Sequence, residues 1–330
     1  MLISVIVPVL NEKENISALA DRLTEILSRY GAYEILFVDD GSTDGSIELL
    51  RGLSAEQKCF GYLSFSRNFG HQNALRAGMT AAQGDCIIMM DGDFQHPPEA
   101  IPLFIEKYRE GFDIVSGIRD DQSTSSETPG FPKRISSRLF YRIINSLSDV
   151  RIQPGAADFR LISRRARSIL INMKEQNLFL RGILPWTGLS QAEIRYKAEK
   201  RKHGTTKYSL SKMLNLAMDG ITSFSIKPLR LTSYLGAVIS LLGFIYAVYA
   251  LYMRLFTTKT IEGWTSLLIS VLLIGGIQLL SIGILGEYVG KTFMETKGRP
   301  HYIIRESRLP SLGSESELKP GQRPDKEAKQ

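Results

Sequence analysis

The stretch CIIMMDGDFQH, residues 86–96, places two carboxylates one residue apart directly after an apolar run. A short apolar run bounded by glycine and polar residues is typical of a strand buried in a sheet. Like charges this close repel each other unless a cation lies between them. Hard oxygen ligands suit Mg²⁺ or Mn²⁺, which commonly bind one or two carboxylates together with substrate phosphates. We therefore predict a buried strand that ends at a metal site formed by Asp91, Asp93 and Gln95.

The same alternation of apolar strands and amphipathic helical patterns extends over the N-terminal part of the chain, in ISVIVPV, YEILFVDD, GYLSFSR and DIVSGIR. Short strands separated by helices predict βαβ units and an α/β fold, with a mainly parallel sheet covered on both faces. Ligands of such sheets bind at the carboxyl ends of the strands. We expect the polar residues that follow four strands to converge on one edge: residues 8–12, 39–44, 67–68 and 91–95.

Two stretches without any charged residue follow, residues 231–253 and 264–286. Each exceeds the length of about 20 residues that crosses the hydrocarbon core of a bilayer. Basic residues flank the outer ends of the pair, whereas the short connection is nearly neutral, so the positive-inside rule places both ends in the cytoplasm. The N-terminal stretch resembles a strand and not a secretory signal. We predict a transmembrane hairpin in the inner (cytoplasmic) membrane, with the α/β domain and both termini cytoplasmic.

These patterns divide the chain into four regions. The predicted boundaries are 1–206 for the α/β domain, 207–230 for an amphipathic interfacial region, 231–290 for the hairpin and 291–330 for a tail that is largely disordered after about residue 308. A basic amphipathic helix is also predicted over residues 133–148, after a polar loop at 121–132 that is long enough to be a lid. That helix and residues 207–226 either lie on the membrane surface or pack as ordinary helices.

Composition limits the partners and the redox chemistry. Lys and Arg number 41 against 34 for Asp and Glu, a net charge of +7 that favours nucleic acid, phosphorylated small molecules or an anionic lipid surface. The two cysteines, Cys59 and Cys86, are far apart in apolar stretches and are interpreted as buried reduced thiols. The four histidines match no zinc spacing and are interpreted as polar loop or surface residues.

Further motifs resemble a known family. They are VIVPVLNEKENI (5–16), FVDDGSTDGS (37–46), SRNFGHQNALRAG (66–78), MDGDFQHPPE (90–99), GIR (117–119), ADFRLISR (157–164), FLRG (179–182) and RKHGTTKYS (201–209). In order and spacing the chain is similar to the family 2 glycosyltransferases of GT-A (Rossmann-like) fold. The closer resemblance is to their polyprenyl-phosphate branch, which includes dolichyl-phosphate mannose synthase and the GtrB-type and ArnC-type enzymes. The resemblance implies a nucleotide-sugar donor, a polyprenyl phosphate acceptor and no nucleic acid.

The resemblance also implies roles for the matching positions. For the nucleotide sugar it implies Pro8, Leu10, Glu12, Asp40, Asp91 and Arg119. For the metal, Mg²⁺ or Mn²⁺, and the donor diphosphate it implies Asp91, Asp93 and Gln95, and for the donor or acceptor phosphates Arg134, Arg201 and Lys207. Asp158 occupies the position usually assigned as catalytic base, with Asp93 as the second catalytic residue. For Arg160 and Arg164 a surface or carboxylate-pairing role stays open, and Asp44 is expected to cap the next helix.

The expected reaction is an inverting transfer of a hexose, with UDP-glucose as the first candidate donor and undecaprenyl phosphate as the acceptor. A lipid monophosphate, with a second pKa near 6, is already largely dianionic at pH 7 and needs little deprotonation. We therefore expect Asp158 to position the acceptor or stabilise the sugar cation more than it abstracts a proton. The alternatives are a processive polysaccharide synthase, a non-catalytic membrane-tethered nucleotide-sugar sensor, and a transporter subunit that binds sugar nucleotides. A homo-oligomer such as a tetramer is also expected from the resemblance.

Overall fold

A computed structural model describes residues 1–120, 156–176, 179–197, 225–256 and 263–311. Two compact units make up the chain and are treated separately. The α/β unit contains Met1–Ser137, Ile152–Lys207 and Arg299–Gln330, and the hairpin unit contains Arg138–Arg151 and Tyr208–Gly298. The predicted loop at 121–132, the helix at 133–148 and most of the region at 207–230 lie outside the described residues.

The α/β unit begins with alternating strands and helices, as the apolar runs predict. These elements are β1 (Ile3–Val9), α1 (Lys13–Leu27), β2 (Tyr33–Asp39), α2 (Ser46–Glu56), β3 (Phe60–Phe65), α3 (His71–Ala81), β4 (Cys86–Met89), α4 (Ile101–Arg109) and β5 (Ile114–Arg119). The later elements of this unit are β6 (Ala156–Ser163), α5 (Arg164–Asn172), α6 (Leu180–Trp186), β7 (Gln191–Tyr196) and β8 (Ile304–Arg308).

The described strands form one sheet in the order β7-β5-β6-β4-β1-β2-β3-β8. Neighbouring strands β4, β1, β2 and β3 are parallel, and so are β5 and β7. Only β6 and β8 run in the opposite direction within this sheet of described strands. The prediction of a mainly parallel sheet is therefore confirmed, and the carboxyl ends of β1 to β4 lie along one edge.

Helices cover both faces of this sheet. On one face, Val5 and Val7 of β1 belong to the main buried cluster with apolar residues of α1, α2 and α4. On the other face, Ile6 contacts α3 so closely that a Cβ added at Gly78 would lie 2.3 Å from Ile6 Cγ2. Because β1 is buried on both faces, its sequence is a continuous apolar run and does not alternate with polar residues.

Strand β6 is the reversal that matters for function. It is antiparallel to β4, with Met89 paired to Arg160. Asp91, two residues after the end of β4, and Asp158 of β6 both lie close to His71 Nε2, at 3.5 and 3.6 Å, although they are far apart in the sequence. Because β6 begins at the sheet edge where β4 ends, the first residues of β6 lie at the same edge as the residues that follow β4. The sequence analysis placed no strand at these residues.

Strand β8 comes from the segment that follows the hairpin and pairs antiparallel with β3. Glu306 lies opposite Ser64 and forms an ion pair with Arg51, with Oε1 2.6 Å from Nη2. Just before the strand, Tyr302 stacks on Phe65 with ring centroids 5.1 Å apart. The strand therefore covers an edge of the sheet that would otherwise present unpaired backbone groups. From the sequence this segment is predicted to be part of a tail, without a strand.

The hairpin unit contains two long helices, α7 (Lys227–Phe256) and α8 (Trp264–Thr296). They include the two predicted apolar stretches, and spans of mean hydropathy 2.0 and 2.2 within them are apolar and long enough to cross a membrane. No part of the most apolar window of either span is buried inside the protein, in contrast to the core helix of a soluble domain. Within this unit the Tyr288 hydroxyl donates a hydrogen bond to the Ser225 carbonyl oxygen, at 2.7 Å.

Candidate active site

The loops after β1 and β2 are joined by hydrogen bonds at the carboxyl edge of the sheet. The Asn11 N–H donates to Ser42 Oγ at 2.9 Å, and the Thr43 N–H donates to Asn11 Oδ1 at 2.8 Å. Asn11 has φ +57°, a left-handed conformation that asparagine tolerates better than most residues. The side chain of Leu10 is left 37% exposed beside these loops. This exposed leucine at a strand end fits the predicted lining of a nucleoside pocket.

Two other residues predicted for the nucleotide sugar have partners or burial of their own. Pro8 is buried within β1 and pairs with Val38 in register. Glu12 precedes α1, and its Oε2 accepts a hydrogen bond from Asn15 Nδ2 at 2.6 Å. Pro8 therefore shapes the end of the strand through its backbone, while the carboxylate of Glu12 is partly engaged by the helix that it begins.

Asp40 holds the loop that leads into α3. Its side chain is 4% exposed, and its carboxylate accepts the N–H groups of Phe69, at 2.6 Å, and Gly70, at 3.0 Å. Burial raises the pKa of Asp40 and outweighs the lowering effect of these two hydrogen bonds. The adjacent Gly41 has φ +79°, and a Cβ there would lie 2.7 Å from the Arg67 carbonyl carbon. Asp40 is thus already structural, and a contact with the nucleotide stays a prediction.

Asp44 serves the first turns of two helices. Its Oδ1 accepts the N–H of Ser46 at 3.0 Å, and its Oδ2 accepts the N–H of Lys13 at 3.1 Å. The N-cap residue of α2 is Gly45, so Asp44 lies one residue before the position that the sequence analysis gave it. Burial raises the pKa of Asp44, but its hydrogen bonds outweigh that effect and lower the pKa.

The acidic pair of the opening stretch lies in a tight loop after β4. Asp93 is 7% exposed, and its Oδ1 accepts the N–H of Gln95 at 3.0 Å, while Asp91 has a more open side chain, 35% exposed. Between them Gly92 packs against β1, since a Cβ there would lie 3.2 Å from Val9 Cγ1. Phe94 has φ +64° and is fully buried, which anchors the loop in the core.

An aromatic stack supports the backbone of Asp91. His96 is 4% exposed, stacks on Phe159 with centroids 5.0 Å apart and meets the edge of Tyr196 at 5.9 Å. Its Nδ1 accepts the N–H of Asp91 at 2.9 Å, so this nitrogen carries no proton and the nearby Asp91 carboxylate is not ion-paired to it. His96 is therefore a buried positioning residue, and the interpretation as a surface or loop histidine misses that burial.

Asp158 is surrounded by donors. The Nε and Nη2 atoms of Arg181 lie 3.3 Å from its two carboxylate oxygens, and Arg160 Nη2 lies 3.7 Å from Oδ1. Burial raises the pKa of Asp158, but the hydrogen bond from His71 and the charges of Arg181 and Arg160 hold it well below its usual range. At 8% exposure Asp158 is thus an ionised carboxylate in a compact ion cluster.

His71 joins the two acidic positions. It is the first residue of α3. Its Nε2 lies 3.5 Å from Asp91 Oδ1 and 3.6 Å from Asp158 Oδ2. Burial lowers the pKa of His71, but the hydrogen bond to Asp158 and the charges of both carboxylates outweigh it and raise the pKa to about 9. His71 is exposed, as the interpretation as a polar loop or surface residue expects, but its position between Asp91 and Asp158 was not predicted. Its place after one of the four strand ends was the only signal of this role.

The two arginines that the sequence left open both pair with carboxylates. Arg160 is 3% exposed and faces Asp158, and burial lowers its pKa to about 10, so it stays charged at neutral pH. Arg164 lies at the opposite edge, with Nη2 3.0 Å from Asp85 Oδ1. Arg119, predicted to contact the nucleotide sugar, ends β5. The basic residues predicted to contact the phosphates lie outside the described residues: Arg134, Arg201 and Lys207.

Comparison with known proteins identifies the family of the chain. Residues 4–169 match the model of glycosyl transferase family 2. The chain belongs to that family. As a family 2 glycosyltransferase it has the GT-A fold, and residues 227–292 also match the GtrB C-terminal hairpin, which coincides with most of α7 and α8.

Relatives of this family 2 glycosyltransferase align over nearly the full chain. An uncharacterized glycosyltransferase of Bacillus subtilis is 44% identical over 92% of this chain and 93% of its own length. The prophage bactoprenol glucosyl transferase homolog of Escherichia coli is 42% identical over 92% of this chain and 99% of its own length. The bactoprenol glucosyl transferase of Shigella phage SfII is 40% identical over 93% of this chain and 98% of its own length.

Proposed function

We propose that this glycosyltransferase moves a hexose from a nucleotide sugar to a polyprenyl phosphate at the cytoplasmic face of a membrane. One observation carries the proposal: an acidic strand end and a cluster of cations meet at one edge of a GT-A sheet, in a chain that also bears two helices of membrane length. The names of the relatives from Escherichia coli and Shigella phage SfII support a polyprenyl acceptor and a glucosyl group. UDP-glucose is accordingly the first donor to test, and undecaprenyl phosphate the first acceptor.

A divalent cation fits the acidic residues. Asp91 and Asp93 provide two carboxylates, and Gln95 provides a carbonyl oxygen, all of them hard ligands that suit Mg²⁺ or Mn²⁺. Among the described residues no cluster of three or more His, Cys, Asp or Glu side chains could hold a metal alone. Two carboxylates completed by substrate phosphates and water are an ordinary magnesium site. When bound, the ion would offset negative charge on the departing diphosphate.

The protein's own cations address the other negative charges of the reaction. Arg181 and His71 are held in place by Asp158, and neither is fully buried, with side chains 29% and 40% exposed. Preorganised cations of this kind stabilise phosphate charge in the transition state without having to reorganise. Asp158, with an ionised carboxylate engaged by four side chains, is better suited to orienting these cations and to stabilising a positive sugar than to removing a proton.

The proposed activity is tested with purified protein, polyprenyl phosphate and a panel of radiolabelled nucleotide sugars. We expect label to move into an organic-extractable, acid-labile lipid with Mg²⁺ or Mn²⁺, and the transfer to stop with chelator. Asp91→Asn and Asp93→Asn should lower the rate by at least about 100-fold, the scale of lost electrostatic stabilisation in active sites. Asp21→Asn, on the exposed side of α1, is the matched control and should leave the rate unchanged. Failure of every donor to label lipid would instead favour a sensor or a transporter subunit, and a long glycan product a processive synthase.

The role of Asp158 is tested by the pH dependence of the Asp158→Asn variant. Activity should fall, because the cations lose their anchor, but the residual rate should not climb steeply between pH 7 and pH 9. A lipid phosphate that is already dianionic gains nothing from added hydroxide over this range. A steep rise confined to the variant would restore the general-base role.

A further inference from the structure

The second residue of α3, Gln72, is part of the Asp158 cluster but has no role in the reaction as proposed above. Its Nε2 lies 3.3 Å from Asp158 Oδ2. An ionised carboxylate only accepts hydrogen bonds, so the amide nitrogen of Gln72 must face Asp158 and the orientation of the amide is fixed. The carbonyl oxygen, Oε1, is consequently turned away from that contact.

This oxygen is buried and unmatched. In the part of the chain that the structure describes, Gln72 Oε1 is shielded from solvent and accepts no hydrogen bond. Buried polar atoms in native proteins are nearly always paired, and an exception calls for a ligand, a water or an ion as the missing partner. The unmatched oxygen of Glu34 is at the opposite edge, beside Ser4 and Gln83, and has no connection to the reaction. Gln72 is the unmatched acceptor attached to the catalytic cluster.

The missing partner is a hydrogen-bond donor or a cation, because an amide oxygen only accepts. His71, Arg160 and Arg181 already surround the Asp158 carboxylate beside it, and their positive charges would repel a further cation, which leaves a hydrogen-bond donor. Phosphate groups of the donor and of the lipid are largely deprotonated acceptors at neutral pH and do not fit this requirement. Hydroxyl groups do fit, and the hexose carries several. Asp158, to which Gln72 is tied, shares His71 with Asp91, where the donor diphosphate is expected: His71 Nε2 lies 3.6 Å from Asp158 Oδ2 and 3.5 Å from Asp91 Oδ1. The hexose is therefore the part of the substrates that is both rich in donors and adjacent.

We propose that Gln72 Oε1 accepts a hydrogen bond from one hydroxyl group of the transferred hexose, and that Gln72 thereby helps to select the sugar. This inference rests on the proposed function and goes beyond it by assigning a sugar contact to one residue. Asp158 then has a second task, since it holds the amide in the orientation that presents oxygen, and not nitrogen, to the sugar.

The test compares full and deoxygenated donors. The first donor is the nucleotide-hexose that the wild-type enzyme uses, and the others are its monodeoxy analogues, each lacking one hydroxyl group. For every donor kcat/KM is measured with wild-type protein and with Gln72→Met, which keeps the length of the side chain and removes the amide. We expect one analogue to lose about tenfold or more in wild type, as one neutral hydrogen bond would give. In Gln72→Met the full sugar should fall by a similar factor, and the penalty for that one analogue should disappear while the other penalties remain.

Controls separate this contact from general damage. Gln57→Met makes the same change on an exposed residue before β3, and all analogue penalties should stay as in wild type. Gln72→Asn keeps the amide but withdraws its oxygen by one methylene, so it should also lose the selective penalty. Unchanged penalties in folded Gln72→Met would overturn the inference. If neither Gln72 variant folds, wild-type discrimination below twofold against every analogue overturns it equally. Failure of the proposed function looks different, because wild-type protein would then transfer no sugar at all.

Discussion

Replacing Asp158 by Asn should destabilise the α/β unit as well as impair transfer. The variant keeps the shape of the side chain but removes the negative charge that faces Arg160, which is 3% exposed, and Arg181. Breaking a buried ion pair by removing one partner costs about 3–5 kcal/mol, since the remaining charge is left in a poorly solvated place. For a unit of this size each kcal/mol lowers the melting temperature by about 2–4 °C. We expect a decrease of roughly 6–20 °C.

Unfolding can be followed through Cys86, which is fully buried in β4. Full-length protein in detergent carries Cys59→Ser, so that Cys86 is the cysteine that reacts. A thiol-reactive fluorogenic dye then reports the temperature at which the α/β unit unfolds. The variant Asp158→Asn/Arg160→Met tests the cause. It removes the buried unpaired charge of Arg160, together with the hydrogen bond from Arg160 to the Leu180 carbonyl oxygen, so part of the lost stability should return while transfer stays impaired.

Two outcomes would contradict this reasoning. One is a single variant that melts within about 2 °C of wild type, well short of the loss expected for a broken buried pair. The other is a double variant that melts no higher than the single one. Acid provides a further check, because the pKa of Asp158 is depressed in the folded protein. The ionised carboxylate stabilises the folded protein fully above its unfolded pKa of about 3.9. The difference in melting temperature between wild type and Asp158→Asn should therefore shrink as the pH falls below that value.

Three other predictions concern the fold. Deleting residues 300–330, which removes β8, should lower the melting temperature of the α/β unit. Deleting residues 312–330 should leave the melting temperature within about 2 °C of wild type, as expected for a loss of unfolding free energy below about 1 kcal/mol. Gly41→Ala should destabilise the unit by at least about 1–3 kcal/mol in urea titrations, because of its φ of +79° and the contact with the Arg67 backbone, while Gly52→Ala in α2 should stabilise it by about 0.5–1 kcal/mol. Burial raises the pKa of Cys86 to about 12, so thiol reagents should label it at pH 8 only after unfolding; labelling of the native protein at the rate of a free thiol would contradict this.

Much of the sheet could be predicted from the sequence because its signals are local. Strands β1 to β4 are apolar runs followed by polar residues, and parallel strands bring their carboxyl ends to one edge. The hairpin is equally local, since its signal is uninterrupted hydrophobicity over membrane length. Strands β6 and β8 could not be found this way. DFRLIS alternates polar and apolar residues over only a few positions, and IRESR is almost entirely polar. Only the neighbouring strand selects their pairing.

The site divides in the same manner. Asp91, Asp93 and Asp158 belong to motifs that point to chemistry by residue type, and the structure brings Asp91 and Asp158 to the same histidine. His71 and Arg181 were quoted in motifs but given no role, because their function depends on where α3 and α6 begin relative to β6. A contact among three elements that are distant in the sequence depends on tertiary packing. It is not marked by any residue pattern within one of those elements.

Strand β8 has a consequence for biosynthesis. The ribosome makes β7 and then roughly 100 residues, including both membrane helices, before it reaches β8, a delay of about 5–20 s at ordinary elongation rates. Throughout that interval β3 is an open edge, with backbone groups that can pair with another nascent chain. Final closure of the catalytic sheet is therefore a late event that can follow only after the hydrophobic segments have been translated, and chains stalled before that point would be those most exposed to misassembly.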